Sequence, residues 1–216
     1  MSLEKPAKRK YNSSQRKEQA RQTRRQIIEA ARRLFVARGY SRTSVESIAQ
    51  EAGVAVETVY ARFGNKHSIL SALISFSLLG DDDPTPLLQR EGPLAVVQEK
   101  DQLRQIELFS ADMTGIMGRI APLFSVMRAA AMTEPVIDEM LHKILIERAE
   151  KMKFFVSALL TNGPLREGLT QEGAAEAVWA LTSAEVYTLT VTDLGWSVEK
   201  YRVWLADMLT RILIPV

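Results

Sequence analysis

The 216-residue chain combines 46% hydrophobic residues with 28 basic and 26 acidic residues, and it contains no cysteine. This apolar content excludes wholesale disorder, and the lack of cysteine excludes a disulfide framework and thiol chemistry. The charges are unevenly placed, because residues 1–68 hold 15 basic and 6 acidic residues, a net charge of +9, whereas residues 69–216 carry −7. The asymmetry predicts a basic module that meets a polyanion, followed by an acidic module that does not.

The first residues and the apolar runs argue against secretion and against a membrane span. The start MSLEKPAKRK has no apolar stretch after its charges, unlike a secretory signal. The longest charge-free apolar run, SILSALISFSLLG, has 13 residues, too few to cross a bilayer. We therefore expect a soluble, cytoplasmic protein.

Apolar residues recur at helical spacing through the first third of the chain and predict four helices. The first begins after a Ser13 or Ser14 cap and ends at Gly39, and Asn65 caps the fourth. The second, TSVESIAQEA, begins at Thr43 or Ser44 and ends at Gly53. Glu46 follows Thr43 by three residues, which is capping-box spacing. The residues expected to face inward are Ile27, Ala31, Leu34, Phe35, Val45, Ile48, Ala49, Ala52, Val59, Phe63, Ile69, Leu70, Leu73 and Ile74.

The clearest break in the chain is DDDPTP, where three like charges precede two prolines. Longer amphipathic helices are predicted beyond it, at residues 94–118, 120–132, 135–161, 171–193 and 197–213. The stretch VYTLTVT alternates like a strand, but no partner strand is predicted, so helix is favoured there. The last helix carries a wide apolar stripe that is typical of packing on several neighbours. Its members are Val198, Tyr201, Trp204, Leu205, Met208, Leu209 and Ile212.

The second and third predicted helices form a helix-turn-helix pattern. Ala49 is small enough to let the helices approach closely, Gly53 permits the turn, and Val54 and Val59 fill the angle between them. Such a unit presents its last helix, which begins near Val56, to a DNA major groove. We predict a basic arm over residues 1–20, a helix-turn-helix domain over 21–66, and a larger helical domain over 67–216.

The segment RRQIIEAARRLFVARGYSRTSVESIAQEAGVAVETVYARFGNKHSIL closely resembles the DNA-binding region of the TetR family of bacterial transcription regulators. Matching positions run from Ile27 to Leu70 and include Ala52–Gly53–Val54, Thr58–Val59–Tyr60 and Lys66. The C-terminal stretch VWALTSAEVYTLTVTDLGWSVEKYRVWLADML is similar to the end of many such regulators, though more loosely. Residues between roughly 80 and 165 carry no family signature.

The resemblance implies an all-α protein of about nine helices. It implies a homodimer formed largely by the last two helices, with each subunit placing one recognition helix in the major groove of a partly palindromic double-stranded DNA operator. It further implies that a small molecule bound in the larger domain releases the DNA, so that the protein acts as a repressor. The dimer requires half-sites about one helical turn apart, roughly 34 Å.

Family positions also imply the residues that contact DNA. The recognition-helix turn of Val56, Glu57 and Thr58 falls where the family reads bases. Val56 is suited to a thymine methyl and Glu57 to cytosine N4, but a carboxylate in the first helical turn also stabilises a helix, and this second interpretation of Glu57 is favoured. Phosphate contact is expected from the remaining residues; the alternatives are that Thr43 or Ser44 is simply an N-cap and that Tyr60 packs beside Phe63. Arg62, the one basic residue of the recognition helix, suits a phosphate, a guanine edge or solvent. The residues expected to contact phosphate are Thr43, Ser44, Tyr60, Arg62 and Lys66.

Positive charge is concentrated ahead of this motif. The basic residues there predict contact with phosphates or a minor groove, which releases counterions; the alternative is a solubilising tail. They are Lys5, Lys8, Arg9, Lys10, Arg16, Lys17, Arg21, Arg24 and Arg25.

Six apolar residues of the larger domain are candidates for lining an effector pocket, although they equally suit a helical core. They are Phe109, Met113, Met117, Phe124, Met127 and Trp179. A DNA-binding dimer that recruits a protein partner without a small-molecule effector is the alternative, and an internal cavity distinguishes the two. A helical enzyme is remote, because the two histidines, His67 and His142, are far apart and no catalytic, metal-binding or cofactor motif is present.

Overall fold

The computed structural model describes residues 13–81, 83 and 85–215, and the side chains from residue 15 onward within these ranges. All regular structure in these ranges is helical, which confirms the all-α prediction. The chain forms two compact units, Met1–Leu73 and Ile74–Val216. The helices are α1 (Ser13–Arg38), α2 (Val45–Ala52), α3 (Val56–Phe63), α4 (Lys66–Leu79), α5 (Glu91–Gln98), α6 (Gln102–Ala131), α7 (Pro135–Leu160), α8 (Gln171–Leu181), α9 (Ala184–Tyr187) and α10 (Val198–Leu213).

The first unit is organised around α1, which packs on α2, while α2 packs on α3. The predicted inward residues are buried with two exceptions, Ala52 and Phe63, which are half-buried. The Phe63 ring is partly covered by Arg24 of α1, whose guanidinium carbon lies 5.7 Å from the ring centroid. A cation over an aromatic face is an attractive contact, so this ring does not need complete burial.

The turn of the helix-turn-helix pattern depends on Gly53. Its backbone is left-handed, with φ of 67°, a conformation that costs glycine little because it has no Cβ. The Gly53 N–H donates to the Ala49 and Gln50 carbonyls, and the Val54 N–H donates to Ala49 at 3.0 Å. These bonds satisfy the carbonyls at the end of α2 and fix the direction in which α3 starts. Val59 of α3 is then completely buried, as predicted.

In the second unit, the predicted break between residues 118 and 120 is wrong. Helix α6 continues through Pro122, and the break lies instead at residues 99–101, between α5 and α6. A proline inside a helix removes one hydrogen bond and costs about 3 kcal/mol. Neighbouring Ala121, Leu123 and Phe124 are all buried, and their packing offsets that cost.

The predicted helix over 171–193 is interrupted at Thr182 and Ser183, and its last part is a π-helix, Thr188–Asp193. Helix is nevertheless confirmed for VYTLTVT. Threonine hydroxyls bond back to carbonyls four residues earlier, Thr188 to Ala184 at 2.8 Å and Thr190 to Val186 at 2.7 Å. Such bonds compete with the normal backbone ladder and open the helix to wider turns.

Helix α10 packs on both α6 and α8 and on the π-helix, as its wide apolar stripe predicted. The fully buried row is Tyr201, Leu205, Leu209 and Leu213. Val198 was expected in the stripe but is 52% exposed, because it is the first residue of the helix and lies beyond the neighbouring elements. Among the helices of the described ranges, none is long and apolar enough to cross a membrane.

Candidate nucleic-acid interface and effector pocket

Helix α3 has one buried residue, Val59, and presents the rest of its surface outward. At 100° per residue, Glu57 and Ala61 lie opposite Val59, and both are exposed. Val56 and Thr58 are half-exposed and flank Glu57. The three residues predicted to read bases therefore lie together at the start of an accessible helix face.

Glu57 is in the first turn of α3, whose N-cap, Ala55, offers no side-chain hydrogen bond to the free amides. The uncapped N-terminus carries a partial positive charge, and a first-turn carboxylate stabilises it by about 0.3–1 kcal/mol. This arrangement is consistent with the helix-stabilising interpretation of Glu57. It leaves the carboxylate exposed and accessible to a base edge as well.

The N-terminus of α2 is capped by Ser44, and the box predicted from Thr43 and Glu46 is wrong. The Ser44 hydroxyl accepts the Ser47 N–H at 3.1 Å, and the Ser47 hydroxyl accepts the Ser44 N–H at 3.1 Å. Ser44 is exposed, so it borders the surface beside the first amides of α2. The capping box begins at Ser44 and not at Thr43 because the Thr43 side chain is buried in the core.

Thr43 differs from the prediction that it contacts phosphate. Its side chain is 1% exposed, and its hydroxyl donates to the Gly39 carbonyl at 2.8 Å and lies 3.3 Å from the Leu34 carbonyl. Its backbone N–H donates to Tyr40 at 3.1 Å. Both donors are used inside the unit, so Thr43 joins α1 to the loop before α2 and has no donor left for a phosphate.

Tyr60 is 46% exposed, and its hydroxyl donates to the Glu46 carboxylate at 3.3 Å. This contact ties α3 to the first turn of α2 and places the phenol beside the Ser44 cap. The Glu46 charge raises the pKa of Tyr60, because the phenolate would lie next to a carboxylate. Hydrogen bonds from its own backbone N–H and from Ser44 lower the pKa of Glu46, which remains charged. Sequence reasoning assigned Glu46 only a capping role; its place two residues after Ser44, in the first turn of α2, was the available signal.

Lys66, the first residue of α4, is half-buried, and its ammonium group contacts Tyr40. Its Nζ donates to the Tyr40 carbonyl at 3.1 Å and lies 4.0 Å from the centroid of the Tyr40 ring. These contacts account for a cation in an unfavourable first-turn position without any DNA. An ammonium has three donors, so hydrogen bonds to a phosphate remain available to it. Asn65 caps α4 as predicted, accepting the Ser68 N–H at 2.9 Å.

The remaining positive charges among the described residues of this unit lie on α1, at the exposed Arg42 in the loop before α2, and at the end of α3. Arg62, Arg16 and Lys17 are exposed. Arg33 forms an ion pair with Glu51 of α2 at 2.8 Å and has a structural contact of its own. Four of the predicted arm cations lie outside the described residues: Lys5, Lys8, Arg9 and Lys10.

The second unit contains a pocket of about 420 Å³ between α6, α7, α8 and α9. Its volume is within the range of small-molecule sites, roughly 300–1,000 Å³. Met117, Phe124 and Trp179 line it, as predicted, and Ile120 and Leu145 complete the apolar wall.

The other three candidates, Phe109, Met113 and Met127, are buried but are not part of this wall. Phe109 stacks on Phe155 of α7 with ring centroids 3.8 Å apart, so it belongs to the packing between α6 and α7.

The polar part of the pocket was missed by sequence reasoning. Arg128 of α6 and Glu185 of α9 form an ion pair, and both are more than 40% exposed where the pocket meets solvent. Arg148 of α7 reaches the pocket from the opposite wall. Its guanidinium lies 5.0 Å from the Trp179 ring centroid and donates to the Trp179 carbonyl at 2.5 Å and to the Thr182 hydroxyl at 2.7 Å. An arginine among amphipathic helical residues gives no sequence signal for such a position.

Comparison with known proteins supports the helix-turn-helix assignment by sequence and the all-helical fold by structure. Residues 27–73 match the family described as bacterial regulatory proteins, tetR family. The chain is 48% identical over 58 residues to the HTH-type transcriptional regulator TtgR of Pseudomonas putida, covering 27% of this chain and 28% of that protein. It is 40% identical over 57 residues to the regulator SrpR of Pseudomonas putida, covering 26% and 27%. The matched segment spans little more than a quarter of these relatives.

Solved structures extend the similarity of fold to most of the chain. The SmeT–triclosan complex has a TM-score of 0.63 at 22% identity, covering 89% of this chain and 92% of that chain. The fatty acid degradation regulator FadR from Bacillus halodurans has a TM-score of 0.66 at 17% identity, covering 87% and 94%. Residues 27–73 thus match the tetR family of bacterial regulatory proteins, and over most of its length the chain has the fold of these solved structures.

Proposed function

We propose that the protein is a DNA-binding transcription repressor that a small molecule releases from a palindromic operator. The observation that carries this proposal is the accessible first turn of α3, where Glu57 is exposed and Val56 and Thr58 are half-exposed, while Val59 holds the helix on the core. The first 68 residues supply a net charge of +9, which favours a polyanionic partner. A bacterial chromosome as partner implies action in the cytoplasm, through binding and not through catalysis.

In the proposed complex, contacts divide into those that read bases and those that position the unit. Val56, Glu57 and Thr58 face base edges in the major groove. Ser44 and the adjacent α2 amides, Tyr60, Arg62 and Lys66 contact phosphates on either side. Thr43 is left out of this set because both of its donors are used internally.

A homodimer through the last two helical segments is part of the same proposal. Four large apolar side chains there are between 52% and 67% exposed: Leu189, Leu194, Val198 and Val203. Clustered exposed apolar residues of this size are typical of interaction surfaces. Two-fold pairing would give each operator half-site one copy of α3.

The pocket favours release by a small molecule over the alternative of a dimer that only recruits a protein partner. A binder that senses no small molecule has no need of a pocket of about 420 Å³ walled by Met117, Phe124 and Trp179. Filling such a space changes the relative energies of two conformations only if the ligand binds one of them better. The proposed effector binds the DNA-free state better.

Selection of bound sequences from a random pool of double-stranded DNA tests the DNA-binding half of the proposal. We expect enrichment of a motif with two-fold symmetry and half-sites about one helical turn apart. A single asymmetric half-site would contradict the dimer while keeping the recognition helix. Failure to enrich any sequence at low salt, where phosphate contacts are strongest, would overturn the proposed function.

A further inference from the structure

Arg148, at the proposed effector pocket, has no carboxylate of the described residues within ion-pair distance, although the Glu185 charge acts on it from farther away. Its side chain is partly buried. Glu185, the acidic residue of the pocket wall, is already paired with Arg128. The charged residues of the wall are therefore two arginines and one glutamate, a net charge of +1.

The existing contacts of Arg148 use only one of its nitrogens. Both of its hydrogen bonds, to the Trp179 carbonyl and to the Thr182 hydroxyl, come from Nη2. They satisfy polar groups at the end of α8 and place a cation at a helix C-terminus, which is electrostatically favourable. The Nε and Nη1 donors have no acceptor among the described residues. Capping α8 therefore accounts for the position of Arg148 but not for its remaining donors.

A second donor in the same wall is also unsatisfied. Trp179 lines the pocket, and its indole Nε1 is buried without a hydrogen-bond partner in the described part of the chain. Buried donors without acceptors are uncommon in folded proteins and are costly. Burial lowers the pKa of Arg148 to about 10, so its guanidinium stays protonated at neutral pH despite this environment. The Trp179 N–H is not accessible from the pocket, so the wall offers a fixed positive charge and the Nε and Nη1 donors of Arg148 beside an apolar surface.

We propose that the effector is an amphipathic anion, whose acidic oxygens bind the Arg148 guanidinium while its apolar body contacts Met117, Ile120 and Phe124. The inference rests on the proposed effector function of this pocket and specifies the ligand class. Carboxylate, sulfonate and phosphate groups all present oxygens that a guanidinium fork binds through two parallel hydrogen bonds. A neutral apolar molecule would fill the pocket but would leave the Arg148 charge and its Nε and Nη1 donors unsatisfied. An anion compensates the charge and accepts hydrogen bonds from these donors, so the pocket should bind an anionic ligand more tightly than a neutral one.

A matched pair of fluorescent probes tests this assignment. The anionic 8-anilinonaphthalene-1-sulfonate and the neutral N-phenyl-1-naphthylamine share one apolar body and differ in the sulfonate. Each is titrated into the full-length protein and into Arg148→Met, with fluorescence and calorimetry giving Kd. The control is Arg104→Met, since Arg104 is an exposed residue of α6 engaged with Glu107, thirteen residues before Met117 on the same helix.

We expect Arg148→Met to weaken binding of the anionic probe about 10-fold or more, because a charge-assisted bond to a partly buried site is lost. Binding of the neutral probe should change by less than about 2-fold, and Arg104→Met should change neither. Arg148→Gln, which keeps a donor for the Trp179 carbonyl without the charge, should show the same selective loss if Arg148→Met does not fold. A structural role alone would weaken both probes together.

Equal loss of both probes, or unchanged binding of the anionic probe, would overturn the anion assignment and leave the pocket as an apolar effector site. The anion assignment would also be overturned if the neutral probe, and not the anionic one, released the protein from the DNA that the selection experiment enriched. If neither probe binds the unaltered protein, the pocket is not an effector site. In that case the ligand-release half of the proposed function fails together with this inference, while operator binding stands.

Discussion

Replacing Thr43 with valine separates a structural threonine from one that contacts DNA. Valine has nearly the same shape, so the substitution removes the hydroxyl and little else. The hydroxyl is buried and donates to the Gly39 carbonyl at 2.8 Å. Losing a neutral hydrogen bond costs about 0.5–1.5 kcal/mol, and leaving a buried acceptor unsatisfied raises this to about 1–3 kcal/mol. We therefore expect a loss of about 1–3 kcal/mol in the free energy of unfolding.

Thr43→Val should therefore lower the melting temperature without changing the affinity for DNA. For a chain of this size, 1 kcal/mol shifts Tm by about 2–4 °C, so Tm should fall by about 2–12 °C. A typical stability of about 5–15 kcal/mol leaves nearly all of the variant folded at 25 °C. Affinity for DNA should therefore change by less than about 2-fold, because neither Thr43 donor faces outward.

Circular dichroism at 222 nm gives the melting curve, and fluorescence anisotropy with the selected operator gives Kd. Thr43→Ser is the complementary control, because it removes the methyl group and retains the hydroxyl. Ser44→Ala is the positive control, since it removes an exposed cap worth about 1 kcal/mol at the proposed phosphate contact. A Thr43→Val variant with unchanged Tm and 10-fold weaker operator binding would refute the structural assignment.

Four further predictions concern the same two units. Glu57→Ala should lower stability by about 0.3–1 kcal/mol without changing operator preference; a new preference at one base position in repeated DNA selection would instead make Glu57 a base reader. Glu46→Gln should lower the pKa of Tyr60 toward its usual value, because the charge that raises it is removed; phenolate absorbance measures this, with Tyr60→Phe identifying the signal. Arg16→Gln with Lys17→Gln should reduce the slope of log K against log salt by about one per lost phosphate contact, while an unchanged slope would exclude both from the interface. Leu194→Glu with Val203→Glu should convert a dimer into monomers in sedimentation velocity, and a persistent dimer would locate the interface elsewhere.

The helix-turn-helix could be predicted in detail because its determinants are local. Gly53 marks a left-handed turn, and the alternation of small and apolar residues around Ala49 and Val59 fixes which faces meet. Each of these signals lies within one or two helical turns of the feature it specifies. The same holds for Asn65, whose side chain caps the helix that begins one residue later.

Features that depend on distant partners could not be predicted. Thr43 and Ser44 are chemically equivalent as caps, and only the packing of Thr43 against the carbonyls of α1 decides between them. Pro122 is a strong local signal for a break, but buried neighbours on α6 outweigh it. Arg148 contacts Trp179 and Thr182, which lie more than 30 residues later in the chain, so neither the pocket charge nor its free donors have a local pattern.

In the proposed complex, acidic residues near α3 are compatible with DNA binding because attraction to DNA and selectivity among DNA sequences come from different residues. Cations on α1 raise affinity for every DNA sequence alike, because phosphates carry no sequence information. Glu46 stays charged, stabilised by hydrogen bonds from its own backbone N–H, from Ser44 and from Tyr60, and it orients the phenol that is proposed to contact a phosphate. Glu57 lies opposite Val59 with its carboxylate exposed, and at a phosphate it would only repel. In the proposed complex, a carboxylate at this position disfavours docking modes that bring the start of α3 against phosphates, and this holds whether or not Glu57 hydrogen-bonds to a base.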